Sequence, residues 1–173
     1  MKLLIASDIH GSAYYCEKLL EAFHREQADR LLLLGDLLYH GPRNDLPRDY
    51  QPKAVIAMLN AEAERTLCVR GNCDAEVDQM VLDFPILSEL AFLPWQGRMI
   101  FATHGHIWNR ERSPLRKPGD ILLMGHTHVP VCETFGRNGE FTLWNPGSVS
   151  LPKEGSAHGY LLLGDTAEWK TLE

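Results

Sequence analysis

Residues 3–11 read LLIASDIHG, so an apolar run, Leu3–Ala6, leads directly into Asp8 and His10. A run of about four apolar residues bounded by turn residues is typical of a buried strand. Four further short runs also end abruptly in polar residues or glycine: Leu31–Leu34, Leu67–Val69, Met99–Ala102 and Ile121–Met124. The sequence therefore predicts five buried strands, each with chemically active side chains at its end.

Two helices are predicted between the first three strands. Tyr15, Leu19 and Phe23 recur at helical spacing behind Ser12, which is suited to an N-cap, and Pro52 opens a second apolar-faced segment. This β-α-β-α-β order predicts parallel strands joined by right-handed crossovers.

The second half of the chain predicts hairpins instead. One pairs Ala91–Trp95 with Arg98–Ala102 around Gln96-Gly97, and the other pairs Val131–Phe135 with Phe141–Trp144 around a turn that contains Asn138-Gly139. Two sheets packed together and flanked by helices accommodate both halves. The length of 173 residues suits one domain, residues 1–173.

Composition narrows the class of protein. A net charge of −6 argues against a nucleic-acid-binding surface, and no stretch approaches the ~20 apolar residues that span a bilayer. We therefore expect a cytoplasmic protein without membrane or nucleic-acid partners; a homo-oligomer remains possible. The four cysteines form no C-x-x-C pair and are expected to be thiols, with Cys68 and Cys132 in the core.

The polar residues at the strand ends have the chemistry of metal ligands. Ligands bind beyond the carboxyl ends of strands in open α/β sheets, and residues two apart on an extended chain point to the same side. Nitrogen and oxygen ligands in this number suit two borderline divalent ions that share a carboxylate. The candidates are Asp8, His10, Asp36, Asn72, His104, His126 and His128.

Three other histidines are weaker candidates. His24 lies on the polar side of the first helix and His158 lies in no motif, so we expect neither to act in the site. His106 is intermediate, because it shares the segment Thr103–His106 with His104.

These motifs resemble, in order, the five signatures of the calcineurin-like metallophosphoesterases: SDIHG, LLGDLLYHG, RGNCD, THGH and MGHTH. The resemblance covers roughly residues 3–150, and the short segments LYHGPRN and NPGSVSLPK are most similar to those of the small bacterial YfcE-type phosphodiesterases. It implies an α/β fold, a four-layer α/β/β/α sandwich of two mixed sheets flanked by helices.

The resemblance also implies a reaction. A hydroxide that bridges two divalent ions, commonly manganese but also zinc, nickel, cobalt or iron, attacks a phosphodiester. Carried over by position, one ion takes Asp8, His10 and His128, the other takes Asn72, His104 and His126, and Asp36 bridges both. The expected partner is a small phosphodiester substrate.

Cys73 departs from the family pattern. Most relatives have a histidine there, steered by a neighbouring carboxylate that corresponds to Asp74, to protonate the leaving oxygen. A thiol has an unperturbed pKa of ~8.5 and donates only weakly. The departure favours diesters with good leaving groups, unless Cys73 is a spacer. In the nearby segment HGPRN, His40 and Arg43 are candidates for contacting the hydroxide and a phosphate oxygen respectively; either can instead be a solvated loop residue.

Alternative functions of this fold stay open at the level of sequence. They are a phosphomonoesterase or nucleotide phosphatase, which Cys73 opposes, a non-catalytic scaffold, which the complete ligand set opposes, and a nuclease, which the acidic charge opposes.

Overall fold

A computed structural model describes residues 1–172 of the chain. The described strands are β1 Leu3–Ala6, β2 Arg30–Leu33, β3 Thr66–Cys68, β4 Ala91–Trp95, β5 Arg98–Ala102, β6 Ile121–Leu123, β7 Pro130–Phe135, β8 Phe141–Pro146, β9 Gly159–Leu163 and β10 Ala167–Thr171. The described helices are α1 Ala13–Arg25, α2 Pro52–Ala61, the single turn α3 Glu76–Gln79, and a 3-10 turn, Ala63–Arg65.

The first sheet has the order β10-β9-β1-β2-β3. Strands β1, β2 and β3 are parallel, whereas β9 and β10 pair antiparallel at the other side. The predicted β-α-β-α-β start is therefore confirmed, and α1 and α2 begin where Ser12 and Pro52 predicted. The Ser12 hydroxyl accepts a hydrogen bond from the amide of Tyr15. Sequence analysis did not predict β9 or β10.

The second sheet has the order β4-β5-β6-β8-β7. Strands β4 and β5 form one antiparallel hairpin and β7 and β8 another, as predicted, while β5, β6 and β8 run parallel. Both sheets are thus mixed.

Side-chain alternation divides the core into layers. On β1, Leu3 and Ile5 pack between the two sheets, while Leu4 and Ala6 pack under the helices on the outer face of the first sheet. The outer face of the second sheet is covered by a non-helical segment through Leu115. The two mixed sheets with flanking helices confirm the predicted fold class. No helix in residues 1–172 has the length and apolar character needed to cross a membrane.

Two cysteines predicted in the core have different environments. Cys68 is buried on β3, as expected. Cys132 is exposed, so that prediction was wrong. The reason is that β7 is an edge strand of the second sheet, and several of its side chains face solvent instead of a second layer.

Candidate metal centre

The segments that follow the strands share an unusual backbone conformation. Five of the candidate ligands have positive φ: Asp8 61°, His10 50°, Asp36 56°, His126 67° and His128 63°. For non-glycine residues this region is strained, by about 1–3 kcal/mol each, and such strain clusters at functional sites. We expected extended backbone to point Asp8 with His10, and His126 with His128, to the same side. That reason was wrong, because these residues have left-handed backbone conformations.

Two glycines allow these turns to approach one another. A Cβ on Gly71 would lie 2.1 Å from Oδ1 of Asp36, and a Cβ on Gly125 would lie 1.9 Å from Oγ of Ser7. Side chains at these two positions would push apart the segments that carry the ligands. The glycine in each of the RGNCD and MGHTH motifs is therefore required by close packing of the strand ends.

The first ligand set, defined as Asp8, His10 and His128, converges on a single point. Oδ1 of Asp8 lies 3.4 Å from Nε2 of His10 and 3.2 Å from Nε2 of His128. The two Nε2 atoms lie 3.2 Å apart. All three residues are buried.

The second ligand set, defined as Asn72, His104 and His126, converges around Nε2 of His104. Oδ1 of Asn72 lies 3.0 Å from this nitrogen, and Nδ1 of His126 lies 3.2 Å from it. His126 thus differs from the other histidines in presenting Nδ1 to the centre.

Asp36 lies between the two sets. Its Oδ2 is 3.8 Å from Nε2 of His10 and 3.5 Å from Nε2 of His104, and its Oδ1 accepts the amide hydrogen of Cys73 at 2.7 Å. One carboxylate oxygen is therefore fixed by the backbone and the other faces both ligand sets.

Backbone carbonyls determine which ring nitrogens are free. Nδ1 of His10 donates to the carbonyl oxygen of Tyr39 at 2.8 Å, Nδ1 of His104 to that of Leu34 at 2.6 Å, and Nδ1 of His128 to that of Leu151 at 2.6 Å. A carbonyl only accepts, so each Nδ1 carries a proton, and in the neutral ring Nε2 offers a lone pair to the centre. This is the usual arrangement behind a metal-ligating histidine.

The donor set fits divalent metal ions. Oδ1 of Asp8 is buried and has no hydrogen-bond partner within residues 1–172. It faces the Nε2 atoms of His10 and His128, which lie 3.2 Å apart; in the neutral rings their lone pairs repel one another unless a cation or a proton lies between them. Groups that include Asp8 with His10 and His128, and Asp8 with Asp36 and His104, each bring their ligand atoms within 4.8 Å of one another.

The carboxylates and histidines perturb one another's protonation. Burial opposes ionisation of Asp8, but its interactions with the rings of His10, His128 and His104 hold its pKa well below its usual value. Burial lowers the pKa of His104, yet the carboxylates of Asp36 and Asp8 outweigh it and raise that pKa to about 9. Burial and the charge of His104 lower the pKa of His126 to about 4.

Asp74 lies beneath the centre. Its buried carboxylate accepts hydrogen bonds from the amides of Asp36, Leu37 and Gly71 at 2.7–2.9 Å. Two of these contacts are with the turn that carries Asp36 and the third is with Gly71 of its own segment; none of the three hydrogen bonds joins it to the side chain of Cys73. The structure therefore gives this carboxylate a positioning contact to a ligand, different from the predicted steering of a proton donor.

The thiol of Cys73 faces the centre. Sγ lies within 4.8 Å of ligand atoms of His10 and Asp36, and it accepts a hydrogen bond from Nδ2 of Asn72 at 3.2 Å. That contact orients the other end of the Asn72 amide, its oxygen, toward His104. Burial and the charge of Asp36 raise the pKa of Cys73, so it is a neutral thiol at pH 7.

A cleft of about 390 Å³ opens above the centre. It is lined by His10, Asp36, Gly41, Pro42, Arg43, Asn44, Asn72, Cys73, His126, Thr127, His128 and Lys153. Arg43 lines this cleft, whereas His40 lies outside the lining and packs edge-to-face against Tyr50, with ring centroids 5.2 Å apart.

The remaining histidines occupy different places. His24 is exposed and contacts Glu62 at 2.8 Å, and His158 stacks on Tyr15 with ring centroids 3.8 Å apart. His106 lies beside the centre, its ring 5.3 Å from that of His104. Neither His24 nor His158 lines the cleft, as expected.

Sequence analysis did not identify the residues that hold Asp8. Oγ of Ser7 donates to its Oδ2 at 2.6 Å, and the hydroxyls of Ser148 and Ser150 donate to its carbonyl oxygen at 2.9 and 3.1 Å. The segment NPGSVS contains both of the latter serines, but a serine hydroxyl gives no signal of its partner in sequence. Lys153, in the cleft, was also missed.

The family model of the calcineurin-like phosphoesterase superfamily domain matches residues 1–168. The chain belongs to the calcineurin-like phosphoesterase superfamily. The ligand motifs of this superfamily that were identified in the sequence are those that form the centre described above.

Individual relatives agree with this membership. The chain is 48% identical over 168 residues to the phosphodiesterase YfcE of Escherichia coli (strain K12). The alignment covers 94% of this chain and 87% of the relative. The solved structure of E. coli YfcE, described as a phosphoesterase, superposes with a TM-score of 0.90 and 42% identity, covering 100% of both chains. An archaeal phosphodiesterase has the same fold, with a TM-score of 0.69 at 21% identity, covering 99% of this chain and 100% of the other.

Proposed function

We propose that the protein is a metal-dependent phosphodiesterase that acts on small phosphodiesters at a site for two divalent ions. The observation that carries the proposal is the position of Asp36, whose Oδ2 faces His10 at 3.8 Å and His104 at 3.5 Å. The similarity to a chain named phosphodiesterase, at 48% identity, supports the choice of diesterase.

In this proposal Asp8, His10 and His128 hold one ion and Asn72, His104 and His126 hold the other, with Asp36 shared. The ions, when bound, supply Lewis acidity at the phosphoryl oxygen and lower the pKa of a coordinated water toward ~7.

The chain keeps the shared ligand in place. Asp74 fixes the amide of Asp36, and the amide of Cys73 fixes one oxygen of the Asp36 carboxylate. The other oxygen is thereby held toward both ligand sets before any ion binds.

Two side chains of the cleft would act on the substrate. The exposed guanidinium of Arg43 pairs with a non-bridging phosphate oxygen. The neutral thiol of Cys73 gives the leaving oxygen little proton donation, because a thiol is a weak donor and burial has raised its pKa. Diesters with good leaving groups are the expected substrates. His40 has no proposed role at the reacting atoms, since it packs on Tyr50.

Manganese is the proposed metal, with zinc, nickel, cobalt and iron as alternatives. Carboxylate and amide oxygens in the ligand set suit harder ions, whereas purely histidine and cysteine ligation would favour zinc. We further propose one domain over residues 1–173, supported by the core shared between the two sheets, and a cytoplasmic protein, supported by four free thiols.

The experiment is a screen of the metal-stripped protein with Mn, Zn, Ni, Co, Fe or Mg added back. The substrates are bis(p-nitrophenyl) phosphate and p-nitrophenyl phosphate, a diester and a monoester with the same leaving group. We expect hydrolysis of the diester to exceed that of the monoester and to be greatest with manganese. A protein that binds metal but hydrolyses neither ester would instead be a scaffold, and a preference for the monoester would favour the phosphatase alternative.

A further inference from the structure

We infer that Lys153 forms a subsite for a second anionic group, so that the preferred substrate is a phosphodiester that carries a further phosphate. The inference rests on the proposed function and deepens it, because it names a class of substrate for the same cleft.

Lys153 lies at the side of the cleft that belongs to the first ligand set. It lines the same cavity as His128 and Thr127, and its backbone amide donates to the carbonyl oxygen of His128 at 3.1 Å. The backbone of this lysine is therefore in direct contact with a proposed metal ligand.

A short turn holds Lys153 in this position. Its carbonyl oxygen accepts hydrogen bonds from the amide and the hydroxyl of Ser156, at 3.0 and 2.6 Å. Two residues earlier, the carbonyl oxygen of Leu151 accepts Nδ1 of His128. The segment is thus fixed to the metal ligand on both sides, and only the long side chain of Lys153 is left free to reach into the cleft.

The charge of Lys153 has no partner of opposite charge in the part of the chain that the structure describes. Among residues 1–172 its ammonium group forms no hydrogen bond or ion pair, and it is exposed. The lining contains one carboxylate, that of Asp36, which is a proposed metal ligand. It contains one other cation, Arg43, which is proposed to pair with the scissile phosphate. In a chain of net charge −6, an unpaired cation at the mouth of the cleft favours an additional anion on the substrate.

A matched pair of diesters tests the subsite. Thymidine 5′-(p-nitrophenyl phosphate) and its 3′-phosphorylated form share the leaving group, sugar and base, and differ only in the second phosphate. We expect the wild-type enzyme to have about 1.5-fold to fivefold higher kcat/KM for the 3′-phosphorylated diester, mainly through a lower KM, which is the range of an exposed ion pair.

Variants assign the preference to one side chain. Lys153→Gln is expected to remove most of it, Lys153→Arg to retain it, and Lys153→Glu to invert it. Lys117→Gln is the matched control, because Lys117 is also an exposed lysine whose side chain has no partner among the described residues, and it precedes β6, at the end of the strand opposite the centre. This control should keep the wild-type ratio. Equal preference in wild type and Lys153→Gln would overturn the inference, as would an equal loss on both substrates.

Binding provides a readout that does not need turnover. Calorimetry on the manganese-loaded protein compares thymidine 3′,5′-bisphosphate with thymidine 5′-phosphate, the products of the two diesters. We expect tighter binding of the bisphosphate, a smaller difference in Lys153→Gln, and a difference that shrinks between 0.1 M and 1 M salt, since the Debye length falls from about 10 Å to about 3 Å. Tighter bisphosphate binding without hydrolysis of either diester would retain the subsite and reject the proposed function; equal binding would reject the subsite.

Discussion

The two ligand sets of the centre differ in how deeply the fold encloses them. Asp8, His10 and His128 are all buried, and both imidazoles donate Nδ1 to a backbone carbonyl. In the second set Asn72 is exposed and His126 is half-buried; His126 presents Nδ1 to the centre, and among residues 1–172 no backbone carbonyl accepts a hydrogen bond from its Nε2.

This difference predicts two metal sites of unequal affinity. Partners that orient a ligand typically raise metal affinity by 10–100-fold, and the first set has such a partner behind each ring. Both sets border the cleft, but Asn72 and His126 of the second set are more exposed than the ligands of the first set, so the second ion is expected to exchange with solvent more readily. We therefore expect the enzyme to be purified with the first site fuller than the second.

Asp36→Asn is the variant with the largest expected effect, because it removes the carboxylate that faces both sets. Affinity for both ions should fall by more than about 100-fold, since partners outside the coordination sphere alone are worth 10–100-fold. Diester hydrolysis should be lost with it. Elemental analysis after gel filtration measures the ions per chain, and two tightly bound ions in this variant would contradict the ligand assignment.

The single-histidine variants separate the two sets. His128→Ala should lose the buried ion and His126→Ala the exposed one, and each should reduce diester hydrolysis by orders of magnitude, because one ion no longer holds both sides of the displacement. Metal analysis measures the ions bound per chain and kinetics measures the rate of diester hydrolysis. We expect the greater loss of metal affinity in His128→Ala.

Two other histidines serve as controls for this comparison. His24→Ala and His158→Ala remove an imidazole without touching the centre, because His24 contacts Glu62 and His158 stacks on Tyr15. Both should keep wild-type metal content and activity. Full activity in either His128→Ala or His126→Ala would rule out a mechanism that needs two ions.

Much of the fold was predictable because short apolar runs and turn residues are local signals. The paired strands β4 and β5, the caps of α1 and α2, and the polar residues that end the parallel strands could all be read from neighbouring residues. Strands β9 and β10 were missed, although Gly159–Leu163 is an apolar run. It ends in Gly164 and Asp165 without a histidine or a motif, so nothing marked it beside the strands that carry ligands.

The details of the centre depend on contacts between distant segments. The left-handed conformation of Asp8 and His126 cannot be derived from an Asp or a His, since neither residue requires positive φ. The contact of Asp74 with the amide of Asp36 spans 38 residues, and the ring of His40 packs against Tyr39 and Tyr50. Residue type predicted which groups are reactive, but packing decided where they point.

Cys73→His tests the exposed side of the centre, where the thiol contacts Asn72. A histidine there has an unperturbed pKa near ~6.5 and supplies a proton donor. General acid catalysis is worth about 10²–10⁴-fold, and a newly introduced imidazole should achieve the lower end or less. We expect the ratio of monoester to diester hydrolysis to rise and the dependence of rate on leaving-group pKa to flatten.

Cys73→Ser is the matched control for this substitution. A hydroxyl keeps the size and the contact to the Asn72 amide but adds no imidazole, so neither the substrate ratio nor the leaving-group slope should change. If Cys73→His leaves both quantities at their wild-type values, the residue acts only through its contact with Asn72.

The pH dependence of metal binding sharpens the comparison further. In the metal-free protein the pKa of His104 is about 9, so its ring is protonated at pH 7, whereas that of His126 is about 4 and its ring is already neutral. An ion in the second set must therefore displace the proton of His104. The same raised pKa stabilises the metal-free fold: the contribution is fully present below the unfolded pKa near ~6.5 and is lost as pH rises through about 9. The affinity for the second ion should rise by up to about tenfold per pH unit from pH 7 and level off above pH 9. Calorimetry in two buffers of different ionisation enthalpy counts the protons released when the second ion binds. His158→Ala is the control that should release the same number as the wild type. An affinity for the second ion that does not change from pH 7 to 9 would contradict the charged state assigned to His104.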